Sequence, residues 1–100
     1  MTPYQPNGTP LTAHERELLV ILMEECAEVI QAASKLVRFG KENRPDNGVS
    51  NIEVLGLEFG DVESVALLVQ SLGLMNQADI RKGITRKRER LAFFMQTQGP

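Results

Sequence analysis

Aromatic residues and cysteine are scarce in this sequence of 100 residues. Aromatics make up 5% of the chain, Trp is absent, and Cys26 is the single cysteine. Because single-stranded nucleic acids are commonly bound by stacking their bases on aromatic rings, such a binding role is disfavoured. One cysteine excludes a disulfide within the chain and fits a reducing compartment. The net charge of −2 gives no reason to expect a polyanion as the main partner.

Targeting segments and long apolar runs are also lacking. Residues 1–10 contain neither the charged segment nor the apolar run of a signal peptide. No apolar run is long enough to span a membrane, so we expect a cytoplasmic protein. The length suits one domain, and there is no strand-like alternation, internal repeat or low-complexity segment.

Three helical patterns follow one another and predict an all-α fold. A Pro- and Gly-containing arm at residues 1–11 precedes a helical domain at residues 12–96. The first helix is predicted from Thr12 to about Phe39, and Gly40 suits the position that follows its end. The second begins at Ser50 or Asn51 and ends at Gly73, and the third runs from Asn76 to about Met95. Thr12 with Glu15, and Ser50 with Glu53, have the spacing of capping boxes.

The first helix is apolar over an unusually wide arc. Seven residues share one face: Leu18, Ile21, Leu22, Val29, Ala32, Ala33 and Leu36. Leu19, Met23, Ile30 and Val37 form a second apolar edge, and Cys26 is expected to be a buried small hydrophobe. Gly56 and Gly60 in the second helix predict close approach of another helix. Three helices alone would leave this surface uncovered, so we expect a homo-oligomer.

Two acidic pairs interrupt these apolar faces. Glu25 and Glu28 fall on the inner side of the first helix, with Glu24 at its edge, and Glu58 and Asp61 fall on the inner side of the second. Burying one unpaired carboxylate costs roughly several kcal/mol, and neighbouring carboxylates also repel one another. A hard divalent cation such as Mg²⁺ removes both problems, so the pattern predicts a metal site. An acidic stretch on a solvated helix face is the alternative.

Other metals fit the residues less well. A di-iron carboxylate bundle normally needs Glu-x-x-His pairs, and the single histidine, His14, lies at the start of the first helix, far from the acidic pairs. Zinc is disfavoured because usable His and Cys ligands are lacking.

The third helix is rich in basic residues. Lys87 falls within its apolar stripe, between Ile84 and Leu91, where it could contact phosphate oxygens or extend along the surface. A nucleic-acid patch is the alternative interpretation of the basic residues, and the acidic remainder of the chain argues against it.

Together, Glu24-Glu25-x-x-Glu28 and Glu58-x-x-Asp61 resemble the signature of the all-α nucleoside triphosphate pyrophosphatases, the MazG-like proteins. The resemblance covers roughly residues 12–92, although the third-helix match is loose. It implies three main helices per chain and an active-site four-helix bundle completed by oligomerisation into a homodimer or homotetramer. The short single-domain form also resembles phage-encoded members.

The resemblance implies hydrolysis of a (d)NTP to the (d)NMP and pyrophosphate with Mg²⁺, for which Mn²⁺ can substitute. The implied roles are metal ligation by Glu25, Glu28, Glu58 and Asp61, catalysis by Glu24 and Glu25, and phosphate binding by Lys87 and Arg90. Candidates for base binding, by location only, are Asn43, Asn47 and Asn51. A (d)GTP substrate is one variant of this function in nucleotide-pool cleaning or adjustment. The alternatives are a phosphoribosyl-nucleotide pyrophosphohydrolase and a non-catalytic module that binds a partner through the third helix.

Overall fold

The fold is all-α, as the sequence predicts. A computed structural model describes residues 8–42, 48–97 and 99, and within these ranges it contains three helices and no strand. None of the helices in this part of the chain combines the length and hydropathy needed to cross a membrane.

The helices begin and end within one or two residues of the predicted positions. α1 spans Ala13–Phe39, α2 spans Asn51–Ser71 and α3 spans Gln77–Phe94. Their N-caps are Thr12, Ser50 and Asn76, whose side-chain oxygens accept hydrogen bonds from backbone N–H groups of the first turn. These bonds satisfy donors that have no partner inside the helix, so each start is fixed by local chemistry.

The capping box of α1 is complete. The Glu15 N–H donates to Thr12 Oγ1 at 3.1 Å, and the Thr12 N–H donates to a Glu15 carboxylate oxygen at 2.8 Å. At the start of α2, the Glu53 N–H donates to Ser50 Oγ at 3.2 Å, and the Ser50 hydroxyl donates to the Glu53 carboxylate. Gly40 ends α1 with φ at +87°, a conformation that glycine adopts without a steric penalty.

α1 and α2 pack as an antiparallel hairpin, whereas α3 makes few contacts with either helix. The buried hydrophobic residues of the described chain are Leu18, Ala32 and Val69. The radius of gyration is 17.6 Å, compared with about 13 Å for a compact domain of 100 residues. A single chain therefore forms a helical hairpin with an extended third helix, and its core is small.

The second apolar edge of α1 is exposed in the single chain. Met23, Ile30 and Val37 are 62%, 70% and 87% exposed. Cys26 is also exposed, so its predicted burial is wrong for the chain by itself, because α2 covers a face of α1 about 100° away around the helix. The predicted close approach at Gly56 and Gly60 does not come from this chain, since a Cβ at either position would meet no atom within 4 Å.

Candidate metal site

Three carboxylates from two helices converge on one side of the hairpin. Glu25 of α1 and Glu58 and Asp61 of α2 each offer an oxygen, and these oxygens all lie within 4.8 Å of one another. Glu25 and Glu58 are half-buried, and Asp61 is exposed. The cluster is thus held by the helix packing at its base and is open to solvent at Asp61.

Local geometry and chain reversal both contribute to this cluster. Glu58 and Asp61 are three residues apart, which places them on adjacent turns of one side of α2. Glu25 lies on the face of α1 that contains Leu18 and Ala32, the residues that α1 buries against α2. The antiparallel packing then brings Glu25 beside the α2 pair.

The environment of Glu25 disfavours its negative charge. Partial loss of solvent raises the pKa of this carboxyl above its ordinary value of 4.5, and the nearby charges of Asp61, Glu58, Glu28 and Glu24 raise it further. All these influences have the same sign, so the site lacks positive charge. A proton or a cation would relieve the repulsion.

The donor atoms fit a hard divalent cation. Carboxylate oxygens are the ligands that Mg²⁺ and Mn²⁺ prefer, and a site with few protein ligands suits Mg²⁺, which retains several waters. His14 and Cys26 are not members of the cluster. Zinc and di-iron sites built on histidine therefore find no support among the described residues.

Glu24 and Glu28 lie beside the cluster without belonging to it. Both side chains are exposed on α1, and neither is among the three carboxylates whose oxygens approach within 4.8 Å. Their charges nevertheless raise the pKa of Glu25. Glu28 therefore stays a predicted metal ligand, and Glu24 stays a predicted catalytic residue, each positioned to influence the cluster electrostatically.

The predicted phosphate-binding residues lie on α3, the helix that makes few contacts with α1 and α2. Lys87 and Arg90 are both exposed. Their predicted role requires α3 to approach the carboxylates, either from a second copy or by a change in its position.

Asn51 has a structural role that the sequence pattern did not indicate. Its side chain is 3% exposed and its amide donates to the Gly40 carbonyl at 3.0 Å, joining the end of α1 to the start of α2. The helix-capping pattern gives the position of Asn51 but not this partner, which lies eleven residues earlier. The other base-binding candidates, Asn43 and Asn47, lie outside the described residues.

Comparisons with known proteins do not add to this picture. No family model, no curated protein and no solved structure matches the chain. The similarity to MazG-like proteins therefore stays a prediction from the acidic motifs.

Proposed function

We propose that this protein is a Mg²⁺-dependent nucleoside triphosphate pyrophosphohydrolase, which converts a (d)NTP and water to the (d)NMP and pyrophosphate. The observation that supports the proposal is the convergence of Glu25, Glu58 and Asp61 from two helices. These residues belong to the two acidic motifs that resemble the MazG-like signature, and their oxygens suit Mg²⁺.

The chemistry of this reaction matches what the cluster can supply. Cleavage of a phosphoanhydride depends mainly on charge stabilisation and on positioning of the attacking water. When bound, a divalent cation supplies charge neutralisation for the triphosphate. Glu25, Glu58 and Asp61 would hold the cation, with Glu28 as a further ligand. Glu24, which is exposed beside them, would accept a proton from the attacking water.

The direct test measures pyrophosphate and monophosphate release from a panel of (d)NTPs, with MgCl₂ or with EDTA. Asp61→Asn and Glu28→Gln should each lower kcat/KM by at least about 100-fold, the order expected when a group that stabilises transition-state charge is lost. Glu63→Gln is the matched control, because Glu63 is an exposed carboxylate of α2 outside the cluster. Full activity in both Asp61→Asn and Glu28→Gln would disprove the metal assignment.

A non-catalytic partner-binding module is the second candidate, and the sparse packing of α3 favours it. α3 carries six basic and two acidic residues and is accessible over most of its length. The same assay, with a phosphoribosyl nucleotide added to the panel of substrates, separates the two functions, because only an enzyme releases pyrophosphate. Turnover of the phosphoribosyl nucleotide alone would move the assignment to that substrate class. No turnover of any substrate by a chain with full helical circular dichroism would favour the binding module.

A further inference from the structure

Six uncharged residues of α1 are spaced as in a coiled coil. We call them the α1 seam: Leu19, Met23, Cys26, Ile30, Ala33 and Val37. The intervals between successive members are four, three, four, three and four residues. This alternation is the heptad spacing that keeps one stripe of a helix in contact with a partner helix.

The chain itself leaves this seam uncovered. Leu19 is half-buried, and the other five residues of the α1 seam are exposed. On the helical wheel, the α1 seam lies about 100° around α1 from the face buried against α2. A helix with two apolar faces at roughly a right angle is typical of the corner position in a four-helix bundle, where each helix packs against two neighbours.

Charge is excluded from the α1 seam over its whole length. From Glu17 to Lys35, every charged side chain of α1 lies at least about 120° around the helix from the centre of the seam. The charges that would set the orientation of a coiled coil with a different, charged partner are therefore missing. Glu28, whose charge acts on the carboxylate cluster, lies on the opposite side of α1.

We propose that the α1 seam binds the same surface of a second copy, with the two α1 helices antiparallel across a two-fold axis at the level of Glu28. This register pairs Leu19 with the partner's Val37, Met23 with the partner's Ala33, and Cys26 with the partner's Ile30. The two smallest side chains of the seam each meet a large one, as interdigitated packing requires.

A parallel pairing of the same surfaces packs less well. It would place Ala33 against the partner's Ala33, and Cys26 against the partner's Cys26. Each of these two layers would contain only small side chains and would leave a void between the helices, and such voids cost stability. Side-chain size therefore favours the antiparallel arrangement.

The single chain exposes more surface than a compact monomer of its mass. The chain exposes 8592 Å², whereas a compact monomer of 11.1 kDa exposes about 5,700 Å². This excess belongs to the chain as a whole, and the α1 seam contributes part of it; a standard interface removes roughly 800 Å² per partner from solvent. Ile52 and Phe59 of α2 are also about half exposed and lie on the same side of the hairpin as the α1 seam, so they would extend the interface.

The first experiment measures mass by sedimentation equilibrium. Wild-type protein should have twice the mass of the chain, and Ile30→Glu should shift it to a single chain by burying a charge in the seam. Gln31→Glu is the matched control: it adds the same charge at the adjacent exposed position, outside the seam, and should stay dimeric. Circular dichroism verifies that Ile30→Glu remains helical. A monomeric wild-type protein, or a dimer that Ile30→Glu leaves intact, would overturn the proposal.

The second experiment tests the antiparallel register with cysteines in a Cys26→Ala background. Met23→Cys and Ala33→Cys are made in separate chains, which are oxidised alone and as a mixture. The antiparallel seam predicts covalent dimers only in the mixture, because the two Met23 positions lie about 15 Å apart along the axis and a disulfide needs Cα atoms within about 7 Å. Covalent dimers of Met23→Cys alone would indicate parallel helices, and no covalent dimer in the mixture would also reject the register.

Discussion

Glu25 is the residue at which the fold and the proposed chemistry conflict. It lies on the buried side of α1, where an apolar residue would stabilise the hairpin, yet it contributes an oxygen to a cluster of three carboxylates. Reduced solvation raises its pKa above 4.5, and the neighbouring acids increase this shift. The chain thus keeps an unfavourable charge at a position where a cation would make it favourable.

The dependence of stability on pH should show this conflict. A raised pKa means that the folded state binds the proton of Glu25 more tightly than the unfolded state does. The resulting stabilisation is fully present below 4.5 and is lost as pH rises through the raised pKa of Glu25. Urea unfolding in EDTA across this range should show the loss in wild type and not in Glu25→Gln. Glu17→Gln, an exposed position of α1 outside the cluster, should behave as wild type.

Metal addition should reverse the effect. Because a ligand that binds only the folded state stabilises it, Mg²⁺ at about 100 times its Kd should add about 2.7 kcal/mol to the free energy of unfolding. Thermal melts with MgCl₂ and with EDTA measure this at pH 7. Asp61→Asn should lose most of the increase, whereas Glu63→Gln should retain it. Equal responses of the two variants would contradict metal binding at the cluster.

At the scale of the elements, the hairpin depends on the junction between α1 and α2. The Asn51 amide donates to the Gly40 carbonyl, and Gly40 has a positive φ that ends α1. These two residues fix where the chain leaves one helix and enters the next. The antiparallel packing that aligns Glu25 with Glu58 follows from this junction and from the apolar contacts between the helices.

Asn51→Ala should destabilise the fold by about 1 kcal/mol, the usual net contribution of one hydrogen bond. Chemical denaturation measures the change, and Asn76→Ala provides a comparison in which a helix cap is lost away from the hairpin. If Asn51 acts only through the junction, the relative kcat/KM values for different bases should not change in the folded fraction. A selective change for one base would instead support the predicted base-binding role.

Substitution by alanine should change the stability of the protein in opposite directions at Gly40 and at Gly60. Gly40→Ala places a Cβ at φ +87°, so it should cost about 1 kcal/mol. Gly60→Ala adds a better helix former at an open position, and should raise the stability of a single chain by up to about 1 kcal/mol. Urea unfolding of both variants in the monomeric Ile30→Glu background tests this. If Gly60→Ala destabilises the protein in the wild-type background but not in the Ile30→Glu background, a second copy approaches Gly60.

At the scale of the whole molecule, the residues that the structure describes form only a small core. Within the described ranges, three hydrophobic residues are buried between two long helices, and large apolar residues along α1 and α2 remain exposed. α2 carries apolar residues on all sides, which is typical of a helix that is buried on every side. The stability of the protein should therefore depend on association.

The melting temperature should consequently rise with protein concentration. Association of folded chains stabilises them by mass action. Differential scanning calorimetry of wild type at two concentrations about 100-fold apart should show this increase. Ile30→Glu should melt at a lower temperature that does not change with concentration. A wild-type transition that is independent of concentration would indicate that one chain is stable alone.

The sequence by itself determined the local structure. Thr12, Ser50 and Asn76 start helices through bonds to residues three positions away, and Gly40 ends one through its own conformational freedom. These interactions lie within one helical turn, so they can be predicted from neighbouring residues. The i, i+3 spacing of Glu58 and Asp61 is local in the same way and predicted a shared side of α2.

Only the tertiary structure decided which distant residues meet. The packing of α1 on α2 brought Glu25 to Glu58 and Asp61 and left Glu28 outside the closest group. It also exposed Cys26 and left α3, the helix that carries Lys87, with few contacts to α1 and α2. The physical reason is that a helical wheel gives the angle of a side chain around its own axis, whereas the position and rotation of the neighbouring helix depend on contacts summed over the whole interface.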